Sequence, residues 1–262
     1  MENYTPPFDV TNKMLEFTAL IAEKVGQIRA NYNDLETRPK LRRNNRIRSI
    51  YSSLAIEANS LSLDEVQAVI SGKLVLGPQK EIREVQNAYA AYEMLGNFNP
   101  YSLQDLKKIH GIMTKFLVSE SGIFRHGEEG VFDGDKCIFV APPAKFVPHL
   151  MDNLFEWLNK CRKDLHPLIC SSVFHYEFVF IHPFSDGNGR MARLWQTALL
   201  MQWRQLFQFL PLESQIQKFQ NNYYSAIAFS HKSGNSNFFV EFLLEKIYEI
   251  LCEVDEGLNI TD

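Results

Sequence analysis

The strongest constraint on the fold is a polar, glycine-rich loop that separates two apolar segments of the sequence. Residues 167–181 are rich in phenylalanine and aliphatic side chains, and helical apolar spacing resumes over residues 189–205. Between these segments, Pro183 and two glycines disfavour continuation of a helix. The pattern therefore predicts a buried helix that ends at His182, a tight loop, and a second helix.

Helical periodicity also covers most of the remaining chain. It predicts helices over residues 12–31, 38–57, 62–72, 79–96, 102–117, 144–163, 214–230 and 237–253, with N-caps at Ser62 and Ser102. In the first of these helices, one buried stripe is expected to contain Leu15, Ala19, Ala22 and Val25.

The periodicity changes between residues 123 and 142, where a turn signal at 133–136 lies between short β-prone runs. This pattern predicts one β-hairpin in a chain that is otherwise helical. The predicted fold class is therefore all-α, a helical bundle with a single hairpin. We expect residues 1–75 to form an N-terminal helical layer and residues 76–262 to form a core, packed together as one unit.

The charge balance excludes a general attraction for nucleic acid or an anionic membrane, because 27 basic and 31 acidic residues give a net charge of −4. Five basic residues within 40–48 are better explained as a solvated helix face, since no aromatic residues are interleaved with them. Four cysteines without C-x-x-C spacing are expected to be buried thiols. No targeting segment or long apolar run is evident, so a cytoplasmic protein without nucleic-acid or membrane partners is predicted.

The loop carries residues suited to polyphosphate chemistry. Backbone N–H groups of the turn at 187–189, with those of the helix that follows, can form an anion hole. Arg190 and Arg193 are spaced to share one helix face and could bind phosphate oxygens. The Asp186 carboxylate could hold Mg²⁺, and His182 could act as a general base.

The string H-P-F-S-D-G-N-G-R-M-A-R at 182–193 resembles the signature of the Fic (filamentation induced by cAMP) family, H-x-F-x-[DE]-G-N-G-R-x-x-R, at all eight defined positions. The resemblance extends over roughly residues 50–250. It implies a helical bundle with a hairpin flap before the catalytic helix, which residues 131–141 fit. In the family, the flap docks an extended segment of the target protein.

The resemblance implies an ATP-dependent protein adenylyltransferase with Mg²⁺, which transfers AMP to a Ser, Thr or Tyr hydroxyl. His182 would be the catalytic base, and Asp186 would hold the metal. The phosphates would be bound by Gly187, Asn188, Gly189, Arg190 and Arg193. Related Doc toxins, which phosphorylate their targets, have lysine at the place of Gly189, so the glycine favours AMP transfer.

A second resemblance concerns autoinhibition. Family members of the autoinhibited type carry [ST]-x-x-x-E-[GN] on a helix N-terminal to the core, and Ser53 to Glu57 resembles it, although Ala58 occupies the Gly/Asn place. Glu57 would pair with Arg193 and deny that arginine to the γ-phosphate. The alternative is that Glu57 is an exposed helix carboxylate near Arg46 or Arg48.

The adenine side is less well defined by the resemblance. Tyr223 and Tyr224 lie in a suitable place but fit core or surface positions equally well, and His231 stands where the family often has asparagine. Two other functions remain open: removal of AMP at the same site, and a regulatory module that binds nucleotide without turnover. The expected partners are a target protein on the flap, the chain itself as a target, and a second copy in a homodimer.

Overall fold

A computed structural model describes residues 4–31, 39–133 and 136–259. The helices are α1 (Asn12–Asn31), α2 (Pro39–Ile56), α3 (Leu63–Ile70), α4 (Gln79–Glu93), α5 (Leu103–Met113), α6 (Val147–Asp164), α7 (Pro167–Ile181), α8 (Asn188–Trp203), α9 (Leu212–Lys218), α10 (Gln220–Ser233) and α11 (Asn237–Asn259). The strands are β1 (Gly130–Asp133) and β2 (Lys136–Val140), and short 3₁₀ turns cover Ala144–Phe146 and Gln205–Phe209. The all-α prediction with one hairpin is confirmed.

The predicted N-caps are present. Ser62 and Glu65 form a reciprocal capping box at the start of α3, where the Glu65 carboxylate accepts from the Ser62 N–H at 2.8 Å. The Ser102 hydroxyl accepts from the backbone N–H of Asp105 at the start of α5. These bonds satisfy N–H groups that have no partner inside a helix.

Two predictions about helices are wrong. The segment predicted as one helix over 214–230 is two, because the chain leaves helical geometry at Phe219 between α9 and α10. In α1, Val25 is buried as predicted, but Leu15 is 55% exposed and Ala19 and Ala22 are exposed too, so Val25 shares its buried stripe with Met14, Ile21 and Ile28. Both stripes have helical spacing, so the apolar pattern alone did not determine which one faces α11.

Helix α7 is central in the core, since most of its residues are buried and it packs against α6, α8 and α11. Its neighbour α8 is also buried along most of its length, and Trp195 is fully inaccessible. Helix α1 lies along α11, and α2 packs against α9 and α4. The division into a layer of residues 1–75 and a core of 76–262 stays a prediction.

The prediction of free thiols is wrong for two cysteines. Cys161 at the end of α6 and Cys170 in α7 form a disulfide, with their Cα atoms 6.3 Å apart. Their separation of nine positions in the sequence gave no pairing signal, because the contact depends on how α6 packs against α7. Within the described ranges, none of the helices combines the length and apolarity needed to cross a bilayer.

Strands β1 and β2 form the predicted antiparallel hairpin. Gly130 pairs with Val140 and Val131 with Phe139, and the register shifts between Val131 and Phe132. Residues 134 and 135 of the predicted turn lie outside the described residues. Since the sheet has two strands among the described residues, each strand has one edge that the other strand does not cover.

Candidate active site

His182 forms the C-cap of α7 in a left-handed backbone conformation, with φ 51° and ψ 59°. For a residue with a side chain this conformation costs about 1 kcal/mol, so surrounding contacts must hold it. The His182 N–H still donates to the Phe178 carbonyl at 3.0 Å, which ends the helix in an ordered way. The predicted end of α7 at His182 is thus confirmed, and the turn directs the chain into the polar loop.

The imidazole of His182 is in the form that a general base requires. Its Nδ1 lies 3.3 Å from the Val179 carbonyl oxygen, which can only accept, so Nδ1 carries the proton and Nε2 keeps its lone pair. Burial lowers the pKa of His182, and the charge of Arg125 adds to this. The Val179 bond and the carboxylates of Glu57 and Asp186 oppose the decrease in the pKa. At neutral pH the imidazole is therefore uncharged, with its one proton on Nδ1.

The side-chain amide of Asn188 braces the loop. Its Nδ2 donates to the Phe184 carbonyl at 2.7 Å, and its Oδ1 accepts from the Phe184 N–H at 3.0 Å. Both ends of the buried amide are thus used within the loop. A phosphate contact by Asn188 stays a prediction and would fall to its backbone N–H.

Helix α5 supports the loop from below through His110. The ring of His110 stacks on Phe184 with 3.6 Å between ring centroids. Its Nδ1 accepts from the Gly122 N–H, so Nε2 carries a proton and donates to the Asp186 carbonyl at 2.9 Å. At Gly187, φ is +82°, and a side chain would press on Thr114 at 3.0 Å. The loop is therefore fixed by contacts on this side, and glycine avoids both the crowding and the strain that a side chain would have at this positive φ.

Asp186 and Arg190 form an ion pair at the mouth of the loop, with Oδ1 and Nη2 2.8 Å apart. Burial acts to raise the pKa of Asp186. The charge of Arg190 and hydrogen bonds from Arg190 and Gly187 outweigh burial and hold this pKa below its ordinary value. Among the described residues, Nε and Nη1 of the buried Arg190 have no hydrogen-bond partner. Glu84 of α4 lies 4.0 Å from Nη1. Arg190 thus has two nitrogens, Nε and Nη1, whose N–H groups could donate to an anion.

Arg193 is held by α2. Its Nε donates to the Ser53 hydroxyl at 3.0 Å, and its Nη2 donates to the Ser53 carbonyl at 2.9 Å and to Glu57 Oε1 at 2.7 Å. A Cβ built on Gly189 would collide with Glu57 Oε1. The carboxylate therefore lies directly over the first turn of α8, where no side chain caps the helix among the described residues. Within the described part of the chain, Glu57 pairs with neither Arg46 nor Arg48 of the alternative: Glu57 pairs with Arg193, and Arg46 with Glu93.

Helix α2 ends beside Glu57 in a Schellman turn. The Asn59 N–H donates to the Leu54 carbonyl and the Ala58 N–H to the Ala55 carbonyl. Ala58 has φ 63°, at the position of this turn that normally holds glycine or asparagine. The left-handed cap is kept in this chain by an alanine.

The residues predicted on the adenine side differ in their exposure. Tyr223 is buried, and its hydroxyl lies 3.0 Å from His175 Nε2, whereas Tyr224 is 46% exposed. His231 Nδ1 lies 2.8 Å from the Tyr176 hydroxyl, and its ring stacks on Phe139 at the end of β2. Tyr223 is thus part of the packed core. Contacts of Tyr223, Tyr224 and His231 with an adenine ring stay predictions.

Three residues around the site were not predicted from the sequence. His110 and Glu84 contact the loop, and Arg125 donates to the His182 carbonyl at 2.7 Å. Each contact joins parts of the chain that are far apart in sequence. A lone histidine, glutamate or arginine in a helix or loop carries no pattern that would indicate such a contact.

Comparison with known proteins identifies the family. A family model described as Fic/DOC family matches residues 100–200, which include the loop. A crystal structure of a Fic family protein from Desulfovibrio desulfuricans is 43% identical, covers 97% of this chain and 77% of that chain, and has a TM-score of 0.91. The chain belongs to the Fic family.

Other Fic proteins share part of the chain. Protein adenylyltransferase Fic from Nematostella vectensis is 33% identical over 162 residues, which are 58% of this chain and 36% of that protein. The Aedes aegypti protein of the same name is 32% identical over 164 residues, 59% of this chain and 32% of its own length. A structure of Fic-1 from C. elegans is 22% identical, covers 95% of this chain and 74% of that chain, and shares the fold at a TM-score of 0.73.

The curated Fic relatives are named protein adenylyltransferases, a nucleotidyltransferase activity. This chain spans about a third of the length of these relatives. The family and the fold are therefore shown.

The metal expected for Fic chemistry fits the donors present. Among the described residues there is no cluster of three or more His, Cys, Asp or Glu side chains that could hold a metal alone. Mg²⁺ in nucleotide sites commonly takes one or two carboxylates and fills its remaining positions with phosphates and water. Asp186, ionised and 37% exposed in its side chain, suits that arrangement.

Proposed function

We propose that this chain transfers AMP from ATP to a Ser, Thr or Tyr hydroxyl of a protein, and that Glu57 inhibits the transfer. The observation that carries the proposal is a combination of three features among the described residues: a neutral His182 with a free Nε2 lone pair, two buried Arg190 nitrogens without a hydrogen-bond partner, and a start of α8 without a side-chain cap. Together these groups provide a base and an anion-binding surface within one loop.

In the proposed reaction, Nε2 of His182 takes the proton of the target hydroxyl. The hydroxyl oxygen forms a bond to the α-phosphorus of ATP, and the bond from this phosphorus to the oxygen that bridges to the β-phosphate breaks. Pyrophosphate leaves with the electron pair, and AMP remains on the target. Mg²⁺ held by Asp186 would neutralise charge on the phosphates.

The remaining loop groups would bind the triphosphate. The N–H groups at Gly187, Asn188 and Gly189 would face the α- and β-phosphates. Gly187 needs a rearrangement for this, since its N–H donates to Asp186 Oδ1 at 2.6 Å. Arg190 would bind the β-phosphate, because Asp186 accepts from Nη2 and the N–H groups of Nε and Nη1 have no partner among the described residues. Arg193 would bind the γ-phosphate once it is released from Glu57.

Inhibition would arise because Glu57 and the γ-phosphate of ATP compete for the buried guanidinium of Arg193. Glu57 holds Nη2 of Arg193 and lies over Gly189, where the anion would bind. A second anion brought to this place would meet a carboxylate of the same sign. ATP must therefore displace Glu57 or bind in a pose unsuited to in-line attack.

The protein target would dock on the hairpin. An extended peptide can add to the outer edge of β1 or β2 by main-chain hydrogen bonds, which requires no particular target sequence. A second copy of this chain could present such a segment, so self-modification and a homodimer are included in the proposal.

The test is intact-mass analysis of the protein incubated with Mg²⁺ and each of the four nucleoside triphosphates. Glu57→Gly is expected to gain one AMP with ATP about 10 to 100 times faster than wild type, because a charge-assisted bond of about 1.5–3 kcal/mol no longer competes. The matched control is Glu57→Gly with His182→Ala, which keeps the open site but lacks the base and should gain nothing.

Other outcomes would contradict specific parts of the proposal. Gain of a phosphate instead of AMP would indicate phosphorylation. Equal rates in wild type and Glu57→Gly would remove Glu57 as an inhibitor. If no variant modifies itself or any added protein while ATP still binds, the chain is a nucleotide-binding module without turnover.

A further inference from the structure

Arg125 links the end of the catalytic helix to the base of the hairpin. Its side chain donates to the carbonyls of His182 at 2.7 Å, Gly127 at 2.8 Å, Pro142 at 2.5 Å and Ile181 at 3.4 Å. Its backbone N–H also donates to the Pro183 carbonyl at 3.0 Å. Arg125 is 3% exposed, so these bonds form away from solvent. A surface arginine would not be held in this way.

The contacts at α7 fall on the carbonyls that a helix leaves without partners. The Ile181 and His182 carbonyls lie at the C-terminal end, where the helix dipole favours a positive charge. The guanidinium therefore stabilises the left-handed backbone of His182. The orientation of the imidazole depends on that backbone, because φ and ψ set the direction in which the Cα–Cβ bond of His182 leaves the chain.

The contacts on the other side reach both ends of the hairpin. Gly127 precedes β1 by three residues and Pro142 follows β2 by two. The Ala141 N–H donates to the Glu129 carbonyl at 3.0 Å and closes the hairpin between these points. Movement of the hairpin base would thus shift the same guanidinium that holds His182.

We propose that Arg125 is a positioning residue, which sets the orientation of the His182 base and couples it to the seating of the hairpin. Docking of a target on the hairpin would then change the orientation of the His182 imidazole through the Arg125 side chain. This inference rests on the proposed role of His182 and adds a residue that acts through it.

The charge of Arg125 gives the proposal a specific signature. The charged groups that act on the His182 imidazole are Arg125, from the segment before β1, Glu57 at the end of α2, and Asp186 in the loop. Arg125 lowers the pKa of His182, and the two carboxylates raise it. Loss of the Arg125 charge should therefore move the His182 pKa upward, while loss of its geometry alone should not.

The experiment compares Arg125→Lys, which keeps the charge but cannot span four carbonyls, with Arg125→Gln, which loses the charge. Both are made in the Glu57→Gly protein. Arg125→Lys is expected to lower kcat about 100-fold through misplacement of the base. KM for ATP and the acidic limb of the pH profile should stay unchanged. Arg125→Gln should lower kcat at least as much and move the acidic limb to higher pH.

Two further measurements do not depend on turnover. NMR titration of ¹³C-labelled histidines, with His182 assigned by its loss in His182→Ala, should show a higher His182 pKa in Arg125→Gln alone. Hydrogen exchange at residues 130–140 should accelerate in both variants, because the tie to Pro142 is weakened. If every form is inert with ATP, the proposed function fails, and these two measurements still decide whether Arg125 controls His182.

The coupling is overturned if Arg125→Lys keeps the parent kcat, or if kcat falls while the exchange of the hairpin is unchanged. A proportional change in kcat and KM with thermal destabilisation would indicate a structural role alone. If Arg125→Gln does not fold, a fall in kcat at constant KM in Arg125→Lys supports the proposal, and an unchanged kcat rejects it.

Discussion

Ala58 affects how firmly the end of α2 is held over the site. Its φ of 63° places a side chain in the left-handed region, which costs about 1 kcal/mol relative to glycine. The preceding residue is Glu57, whose carboxylate reaches Arg193. The strain is therefore stored next to the proposed inhibitory contact, where it lowers the cost of opening the turn.

Ala58→Gly should therefore stabilise the protein and strengthen the inhibition. The melting temperature is expected to rise by about 2–4 °C for about 1 kcal/mol in a chain of this size, and self-AMPylation of the otherwise wild-type protein should fall. Differential scanning calorimetry and labelled ATP measure the two effects. Ala55→Gly, inside α2 in right-handed geometry, is the control and should lower the melting temperature. A higher AMPylation rate in Ala58→Gly would contradict the idea.

The roles proposed for the loop follow from the sequence because the whole loop is local. His182, Asp186, Arg190 and Arg193 lie within twelve consecutive residues, and helical spacing fixes the relative positions of Arg190 and Arg193. The support around them could not be predicted. The bond from Arg125 joins positions 57 apart, and it ends on a backbone carbonyl that every residue type carries.

At the scale of elements, helix α2 is held over the site by two separate sets of bonds. Ser53 and Glu57 contact Arg193 of α8. On another side, the Ser49 hydroxyl donates to buried Glu213 of α9 at 2.7 Å, and Tyr92 of α4 donates to the same carboxylate. The second set keeps α2 packed even when the first is broken. Release of the proposed inhibition would thus require movement of the end of α2 and would leave the rest of the helix in place.

Ser53→Ala tests this separation. It removes the hydroxyl that accepts from Nε of Arg193, so the hold on the guanidinium weakens while Glu57 remains. We expect AMP transfer about 3 to 10 times faster than wild type, below the gain of Glu57→Gly. Ser52→Ala is the matched control, because its hydroxyl faces Ser214 of α9 at 3.3 Å. Equal gains in both variants would mean that loosening of α2 as a whole controls activity.

Helices were predicted correctly from the sequence where residues that start or stop a helix agreed with the apolar spacing. Helix α7 has the predicted bounds, since proline opens it and the segment His182-Pro183 closes it. The break between α9 and α10 was missed because Phe219 is compatible with a helix, and neither proline nor glycine marks the place where its φ of −114° and ψ of 37° interrupt the helix. The buried face of α1 was predicted correctly at Val25 alone, since both candidate stripes contain apolar residues.

At the scale of the whole molecule, the first described residues are hydrogen-bonded to helix α7 and to the residue that precedes α11. The Tyr4 hydroxyl donates to Glu177 Oε2 of α7 at 2.7 Å, and the Ser236 N–H donates to the Pro7 carbonyl. Glu177 is 3% exposed. Burial raises its pKa to about 7 from an ordinary value of 4.5, although the bond from Tyr4 opposes the increase. The stability of the bundle therefore depends on the charge state of a carboxyl group on the same helix as His182.

Because the folded pKa of Glu177 is raised, its contribution to stability is fully present below pH 4.5 and is lost as the pH rises through about 7. Glu177→Gln cannot ionise and can still accept from Tyr4. The melting temperature of Glu177→Gln minus that of wild type should therefore increase between pH 4.5 and pH 8. Glu156→Gln, on the exposed face of α6, is the matched substitution for comparison. Tyr4→Phe should move the pH window upward, because the bond that lowers the Glu177 pKa is lost. A flat difference for Glu177→Gln would mean that this carboxyl group ionises in the folded protein as it does in the unfolded chain.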